Sequence, residues 1–408
     1  MSRRVLLVLP TGTYRASAFL SAARRLGLEV VVASDEPSTL GALHPGQELV
    51  VDFARPELAP AALAALDDHV GFGAVVAVDE TAVLVAAHLA AALRLPGNSP
   101  AAAAATRDKA QLRARLRASG VPQPEWTLWR GRRPPRWQLF PAVLKPLDQA
   151  ASRGVVRVDT ASDLAAQGER VRQLLAHDPS CQPAVAPDQR PLLIEGFVPG
   201  PEVAVEALVQ DGELIPLAIY DKPDPLDGPY FEETIYCVPS VLPPEAQQAV
   251  ITSLSAAVAA VGLATGPVHA ELRLGQGRPR VIDLASRSIG GHCSAVLHFK
   301  CGQSLEEPVL LNALGDPLPE LELEAGGAGV MMLPVPRAGR LLEVSGREGA
   351  LAVPGVESLE ISVPVGAMVE PPPGGDRYLG FLFARGADGP DAATRLRQAH
   401  SQLRFEID

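Results

Sequence analysis

Along residues 4–96, short and wholly apolar runs alternate with stretches whose apolar positions recur at helical spacing: VLLVL, then 16–26, EVVVAS, 60–68, AVVAVD and 82–93. This β-α-β-α-β-α order predicts a parallel sheet covered by helices. Strands buried on both faces should be uniformly apolar, and these are. In such a sheet a ligand meets the loops beyond the strand C-termini, here 10–14, 34–36 and 79–81. The first of them, PTGTY, holds one glycine where a dinucleotide fingerprint needs three, so it does not match that fingerprint.

The pattern then changes. Residues 100–119 read as one basic, alanine-rich helix stopped by Gly120, with Pro122 and Pro124 behind it. A strand pair follows at 126–129 and 142–145, then a turn at 149–154, the strand VVRV and a helix over 161–175. Polar, proline-marked sequence at 177–190 predicts a loop. After it LLIEGFV, GPEVAVEALV and ELIPLAIY predict an antiparallel meander, and a helix over 244–261 precedes two further strands. Strands and helices segregate here, an α+β signature distinct from the first region. From about residue 320, turn-rich strands (VMMLPV, RLLEVSG, LEISVPV, YLGFLFARG) and a last helix over 390–403 predict a small α+β cap.

A chain of 408 residues exceeds what one core organises, so two to four domains are expected. A hydrophobic fraction of 47% with 20% charged residues fits a soluble globular enzyme. The net charge of -11 argues against a nucleic-acid partner, which needs a concentrated basic surface. Four cysteines without a CxxC pair indicate neither a zinc site nor a disulfide framework, and point to a reduced, cytoplasmic setting. The opening MSRRVLLVLP ends its apolar run at Pro10, too short for a secretory signal, and no run of ~20 apolar residues predicts a membrane span.

The chemistry concentrates in VHAELRLGQGRPRVIDLASRSIGG, two acidic strands joined by a glycine turn. Glu271 on one and Asp283 on the other can approach within an ion diameter, which favours a divalent cation between them. Arg287, followed by Gly290 and Gly291, adds a fixed positive fork, so the segment suits phosphoryl oxygens. Lys145 ends an apolar strand, where it either snorkels to solvent or meets an anion. The turn after it brings Ser152, Arg153 and the amides near Gly154 close by, a cradle for phosphate oxygens. Glu195 enters a glycine and is followed by Phe197 and Val198, an apolar face for a flat base; a turn carboxylate capping its own amides is the other reading. Glu202 and Glu206 share one strand face, as a solvated acidic face also would. Lys222 and Glu233 flank a turn-rich segment that suggests a loop over a pocket. His269 is placed on the strand face opposite Glu271, as a packed core histidine outside the site. No GxSxG is present, and Cys293 beside His292 makes a poor catalytic pair because sequence neighbours seldom pair in space.

Taken in order, VDETAVLVAAHLAAALRLPGNS, DKAQLRARLRASGVPQP, FPAVLKP, SRGV, IEGFVPGPEVAVE, HAEL and DLASRSIGG resemble the ATP-grasp carboxylate–amine ligases, most closely the L-amino acid ligase branch. The resemblance spans nearly the whole chain. It implies an α/β and α+β multidomain fold: a parallel-sheet pre-ATP-grasp domain over 1–98, an ATP-grasp domain of two α+β lobes over 99–315 with its small lobe at about 122–197, and a C-terminal ligase cap over 316–408. By resemblance, Lys109 and Lys145 would hold ATP phosphates under a flexible loop of Ser152, Arg153, Gly154 and Val155. Glu195, Phe197 and Val198 would form the adenine-contacting hinge, and Glu202 would meet the ribose. Glu271 and Asp283 would ligate Mg²⁺ or Mn²⁺, and Glu233 would meet the amino group of the first substrate. Arg287 would face the substrate carboxylate, with Gly290 and Gly291 beside it.

The implied reaction joins a carboxylate and an amine, both small and amino-acid-like, through an acyl phosphate, with release of ADP and phosphate. Arg287 and the amides near Gly290 and Gly291 would stabilise the oxyanion. A homodimer is a family-level expectation. Two departures stand out: the family's Glu-x-Asn-x-Arg becomes Asp283 and Ala285 before Arg287, and Tyr236 stands in the substrate site where amino acid ligases often carry histidine. Alternatives are a ligase of another acceptor, of nucleotide-pathway or carboxylation type, and a nucleotide-binding protein that has lost ligase chemistry.

Overall fold

In the computed structural model the apolar runs of the first region form β1 (Arg4–Val8), β2 (Glu29–Ser34) and β4 (Phe72–Ala77), joined by a short β3 (Glu48–Val50). The sheet is parallel throughout, in the order β3-β2-β1-β4. The structure describes residues 3–37, 48–64, 71–176, 190–275, 277–375 and 377–408. β1 is apolar at successive positions because it serves two cores. Val5 and Leu7 pack with Phe19 of α1 (Ala16–Arg25), while Leu6 and Val8 pack with Leu63 of α2 (Ala59–Ala64) and with Val85 and Leu89 of α3 (Val83–Leu93). The three residues of β3 are too few to show a pattern, which is why the sequence reading misses that strand. The helix expected over 60–68 is seen to Ala64, and its remainder lies outside the described residues.

The single helix expected over 100–119 is two: α4 (Pro100–Arg107) and α5 (Lys109–Ala118). Asp108 breaks them with an extended backbone, and its carboxylate accepts from the amides of Ala110 at 2.8 Å and Gln111 at 3.1 Å. A short acidic side chain satisfies these first-turn donors better than it continues a helix. The break turns Lys109 toward the small lobe, where its amide donates to Leu147 O at 3.0 Å.

The small lobe is a four-stranded antiparallel sheet with the order β5-β8-β6-β7, built from β5 (Trp126–Trp129), β6 (Ala142–Pro146), β7 (Val156–Val158) and β8 (Leu192–Gly196). The strands read as a pair, β5 and β6, are not neighbours, because β8 lies between them. Their proline-marked connection is too long for a tight hairpin turn. Helix α6 (Ala161–Ala176) covers this sheet, and Gly168 admits the Trp129 ring, since a Cβ there would lie 2.0 Å from Trp129 Cζ3. Of the loop expected at 177–190, all but Arg190 lies outside the described residues.

The remaining strands are β9 (Glu202–Gln210), β10 (Glu213–Asp221), β11 (Ile235–Val238), β12 (Gly266–Arg273), β13 (Arg280–Ala285), β14 (Gly327–Leu333), β15 (Gly339–Ser345), β16 (Val356–Ile361), β17 (Met368–Val369), β18 (Gly380–Gly386) and β19 (Arg404–Ile407). One eight-stranded sheet runs β13-β12-β9-β10-β11-β14-β18-β16, so the C-terminal strands continue the central sheet. The β11–β14 seam pairs Ile235 with Met331 and Val238 with Ala328. Helix α7 (Pro244–Val261) packs on α5 over a core that includes Leu112, Leu116, Leu254 and Val258. Helix α8 (Glu306–Leu314) packs against α1 and β4 of the first region, with Val309 and Leu310 in the shared core. Short α9 (Arg347–Leu351) and α10 (Gly389–Gln402) cover the C-terminal strands together with a three-stranded sheet of order β17-β15-β19. Among the described residues no helix is long and apolar enough to cross a membrane.

Candidate active site

A cavity of about 720 Å³ lies where the first sheet, the small lobe and the eight-stranded sheet meet. Its floor is the β12–β13 ladder, in which Glu271 and Asp283 are direct cross-strand partners. Each carboxylate faces a lysine. Lys222 Nζ lies 3.0 Å from Glu271 Oε1 and 3.6 Å from Glu233 Oε1, and also donates to Glu202. Lys109 Nζ lies 3.7 Å from Asp283 Oδ2. Burial disfavours the Lys222 ammonium, but Glu202, Glu271 and Glu233 outweigh it and hold its pKa well above the usual lysine range. Burial would raise Glu271 too; the Lys222 charge, with His269 behind it, holds that carboxyl well below the usual range. Burial and the facing Glu271 push Glu233 up, against the pull of Lys222. Tyr236, buried beside this group with its hydroxyl 3.4 Å from Glu271 Oε1, is pushed well up by burial and by Glu233 and Glu271.

Glu195 turns its carboxylate inward. Oε1 accepts from Arg113 Nε at 2.5 Å and Oε2 faces Lys145 Nζ at 2.9 Å, with Glu195 and Arg113 each 2% exposed at the side chain. Burial opposes the charge, yet Arg113 and Lys145 lower its pKa from 4.5 to about 2. Glu195, read as part of the adenine-contacting hinge, lines the cavity and also pairs with Lys145. Beside it Phe197 and Val198 line the cavity, Phe231 stacks near Phe197 at 6.4 Å, and Arg273 covers the Phe197 ring at 5.0 Å while pairing with Glu202 at 2.8 Å. In the loop expected to cover phosphates, Ser152 and Val155 line the main cavity. Arg153 lines a smaller recess shared with Pro372 and Tyr378, and Gly154 packs on Pro146 and lines neither. Lys109 Nζ donates to Gln149 O at 2.7 Å at the start of that loop.

At the other end, Arg287 Nε pairs with Glu80 Oε2 at 2.7 Å, and Glu80 Oε1 accepts from Arg107 at 2.8 Å. Burial works against the Glu80 charge, but Arg287 and Arg107 lower its pKa to about 2; Glu80 in turn raises Arg287 despite burial. The turn after Arg287 is tied to the first sheet and to β9. Arg15 donates to Ser288 O at 3.1 Å, Ile289 N to Glu206 at 3.0 Å, and Gly291 N to the Tyr14 hydroxyl at 2.8 Å. Gly291 has φ 60° and a Cβ there would lie 2.6 Å from Met332 Cε. Gly290 and Gly291 both line the cavity.

Of the strand ends expected to meet a ligand, 10–14 and 79–81 reach the cavity through Gly12, Tyr14, Asp79 and Glu80. The 34–36 segment does not line it, and Asp35 instead accepts from Thr11 N at 2.7 Å. The placement of His269 away from Glu271 is overturned. Residues two apart along a strand share a face, and His269 lines the same cavity with Nδ1 3.5 Å from Glu206. Sequence reasoning missed Glu80, Arg113 and Arg273, and saw Lys222 only as a loop flank. Glu80 carried a signal, since it lies in a loop expected to meet ligand; Arg113 is one arginine among several on a helix and carried none.

Among the described residues no group of three or more histidine, cysteine or acidic side chains could hold a metal ion. Two hard carboxylates in direct register still suit Mg²⁺, which commonly takes one or two protein carboxylates and completes its shell with water and phosphate oxygens.

Three family models match this chain: the ATP-grasp N-terminal domain over 20–97, the ATP-grasp domain over 138–296, and the L-amino acid ligase C-terminal domain 2 over 331–408. The L-amino acid ligase from Bacillus licheniformis is 26% identical and superposes over 100% of both chains with a TM-score of 0.80. An uncharacterized protein, y4rH, of Sinorhizobium fredii is 23% identical over 99% of this chain and 83% of its own. The alanine–anticapsin ligase of Bacillus subtilis is 29% identical over 37% of this chain and 34% of its own, so the match spans about a third of that relative. The chain belongs to the ATP-grasp carboxylate–amine ligase superfamily: it is an ATP-dependent ligase that forms C–N bonds and carries an L-amino acid ligase C-terminal domain.

Proposed function

We propose that the protein joins two small amino acids by an amide bond, converting ATP to ADP and phosphate through an acyl phosphate. The observation that carries this reading is a single cavity with lysines at one end and, at the other, Arg287 clamped by Glu80 beside the Gly290–Gly291 turn. The B. licheniformis relative, an L-amino acid ligase by name, supports it.

A carboxylate is a poor electrophile in water, so its oxygen must first become part of a leaving group. In this reading a substrate carboxylate oxygen bonds to the γ-phosphorus of ATP while the bond to the β-phosphate oxygen breaks. Lys109, Lys145 and Lys222 neutralise the phosphoryl charge, and Glu195 keeps Lys145 in place. Ser152 and Val155 cover the phosphates, Phe197 and Val198 receive the base, and Glu202 faces the ribose. Glu271 and Asp283 are the residues that would hold Mg²⁺ or Mn²⁺, which when bound adds positive charge against the phosphates. Ala285 offers no oxygen to help them.

The amine of the second substrate then attacks the acyl carbon. The C–N bond forms, phosphate departs and the amine's protons are released. Arg287 holds the carboxylate, and the Gly291 amide, shared with Tyr14 at rest, is a donor for the oxyanion. Glu233 and Tyr236 border the space an amino group would enter. Movement of the small lobe over the phosphates would exclude water from the acyl phosphate.

ADP release measured against pairs of L-amino acids, with product masses, tests the reading. ADP should appear only with a productive pair, and the product should weigh the sum of the pair less one water. Arg287→Ala should abolish release while leaving ADP affinity within about threefold; full activity in that variant, or no release with any pair, refutes the proposal.

A further inference from the structure

Beside the Gly290–Gly291 turn the cavity wall changes from charged to aromatic. Tyr14, from the loop after β1, stacks on His292 with ring centres 4.4 Å apart and planes 21° apart. His292 meets Phe381 of β18 at 4.5 Å, and Phe381 meets Tyr378 edge-on at 6.1 Å. All four rings line the cavity, and they come from the first sheet, the turn after β13 and the C-terminal strands. His292 holds φ 55°, a left-handed backbone that few residues with a side chain adopt, and this conformation presents its ring to Tyr14.

The neighbouring positions keep the wall bare. A Cβ on Gly290 would sit 3.5 Å from the Tyr14 hydroxyl, so that position has no side chain to fill the space in front of the rings. Burial lowers the His292 pKa, which leaves the imidazole a neutral flat surface. The charges that face it are Glu360 and Arg15, one of each sign, and Arg15 is engaged by Ser288. At Tyr378 the facing charges are Glu233 and Glu232 against Lys222, so what sets this wall apart is its four ring faces rather than its charge. Aromatic faces of this kind favour planar and bulky apolar groups.

We infer that Tyr14, His292, Phe381 and Tyr378 form the side-chain subsite for one of the two amino acids, and that this subsite takes an aromatic or bulky apolar L-amino acid. The inference rests on the amino-acid ligase reading above. Tyr14 is half-exposed and reaches the wall from another layer of the molecule, so it is the ring whose loss disturbs the fold least.

The test is calorimetric titration of the full chain loaded with ADP and Mg²⁺, using free L-phenylalanine, L-leucine, L-alanine and L-lysine as probes. L-phenylalanine should bind at least tenfold more tightly than L-alanine or L-lysine. Tyr14→Ala and Phe381→Leu should each cut the phenylalanine-to-alanine ratio at least threefold, with ADP affinity in the same cell confirming a folded site. If Phe381→Leu unfolds, Tyr14→Ala decides. The inference is overturned if L-phenylalanine fails to bind, if L-alanine or L-lysine binds as tightly, or if Tyr14→Ala leaves the ratio unchanged. ADP release separates this from the ligase reading: phenylalanine binding without release from any pair sinks the ligase and keeps the subsite, whereas release from small pairs without phenylalanine binding does the reverse.

Discussion

Glu195→Gln is the sharpest test of how the nucleotide end is built. The substitution keeps the shape of the side chain and removes the charge that Arg113 and Lys145 share. Removing one partner of a buried ion pair costs about 3–5 kcal/mol, because the remaining charges stay desolvated. An independent route gives a similar figure: lowering the pKa from 4.5 to about 2 on folding is worth about 3 kcal/mol, at about 1.4 kcal/mol per pH unit. The sign follows from the direction. A carboxyl with a depressed pKa contributes stability that is fully present above about pH 4.5 and disappears as the pH falls toward 2. Urea unfolding followed by tryptophan fluorescence reports on the small lobe directly, since Trp126 and Trp129 lie on β5, the strand paired with Glu195. The variant should lose about 3 kcal/mol at pH 7, its stability should fall less steeply below pH 4.5 than that of the parent, and ADP should bind more weakly as Lys145 loses its anchor. A loss under about 1 kcal/mol at pH 7, or identical pH profiles, would refute the reasoning.

Three further outcomes are expected. Gly168→Ala puts a methyl 2.0 Å from the Trp129 ring and should cost about 1–3 kcal/mol by overpacking, read as a lower melting temperature and a shifted tryptophan emission. Asp108→Ala removes the cap between α4 and α5 and should cost about 1 kcal/mol in denaturant midpoint, with Asp108→Asn restoring most of it. Glu271→Gln should raise the Mg²⁺ concentration needed for half-maximal ADP release at least tenfold; an unchanged requirement would remove Glu271 from the metal site.

Much of the architecture is written locally. Uniformly apolar runs gave β1, β2 and β4 as buried parallel strands, and a glycine turn was enough to set Glu271 and Asp283 on adjacent strands. What escaped depends on pairings across long stretches of chain. Glu80 and Arg287 are 207 residues apart, and Arg113 and Glu195 are 82 apart; no local pattern marks such partners. Lys222 looked like a loop residue because turn formers follow it, yet it is buried at the end of β10 by three acidic neighbours. The split at Asp108 was legible in principle, since an acidic residue before a helical run is a start signal, but the alanine-rich flanks hid it. For His269 the parity of β12 itself puts the ring on the face of Glu271, two residues away.

The seam between β11 and β14 also limits how such a chain can be shuffled between relatives. The sequence changes character near residue 320, which invites a cut there, but a cut would strip β11 of its neighbour. Ile235, Tyr236, Cys237 and Val238 are all buried, and their freed backbone groups would form a flat apolar edge prone to recruit other chains. A C-terminal segment transplanted from another ligase would have to rebuild that ladder residue by residue. Exchange is tolerable only upstream, where the donor brings β11 and β14 together, so the stretch that closes the substrate cavity is inherited with the stretch that caps it.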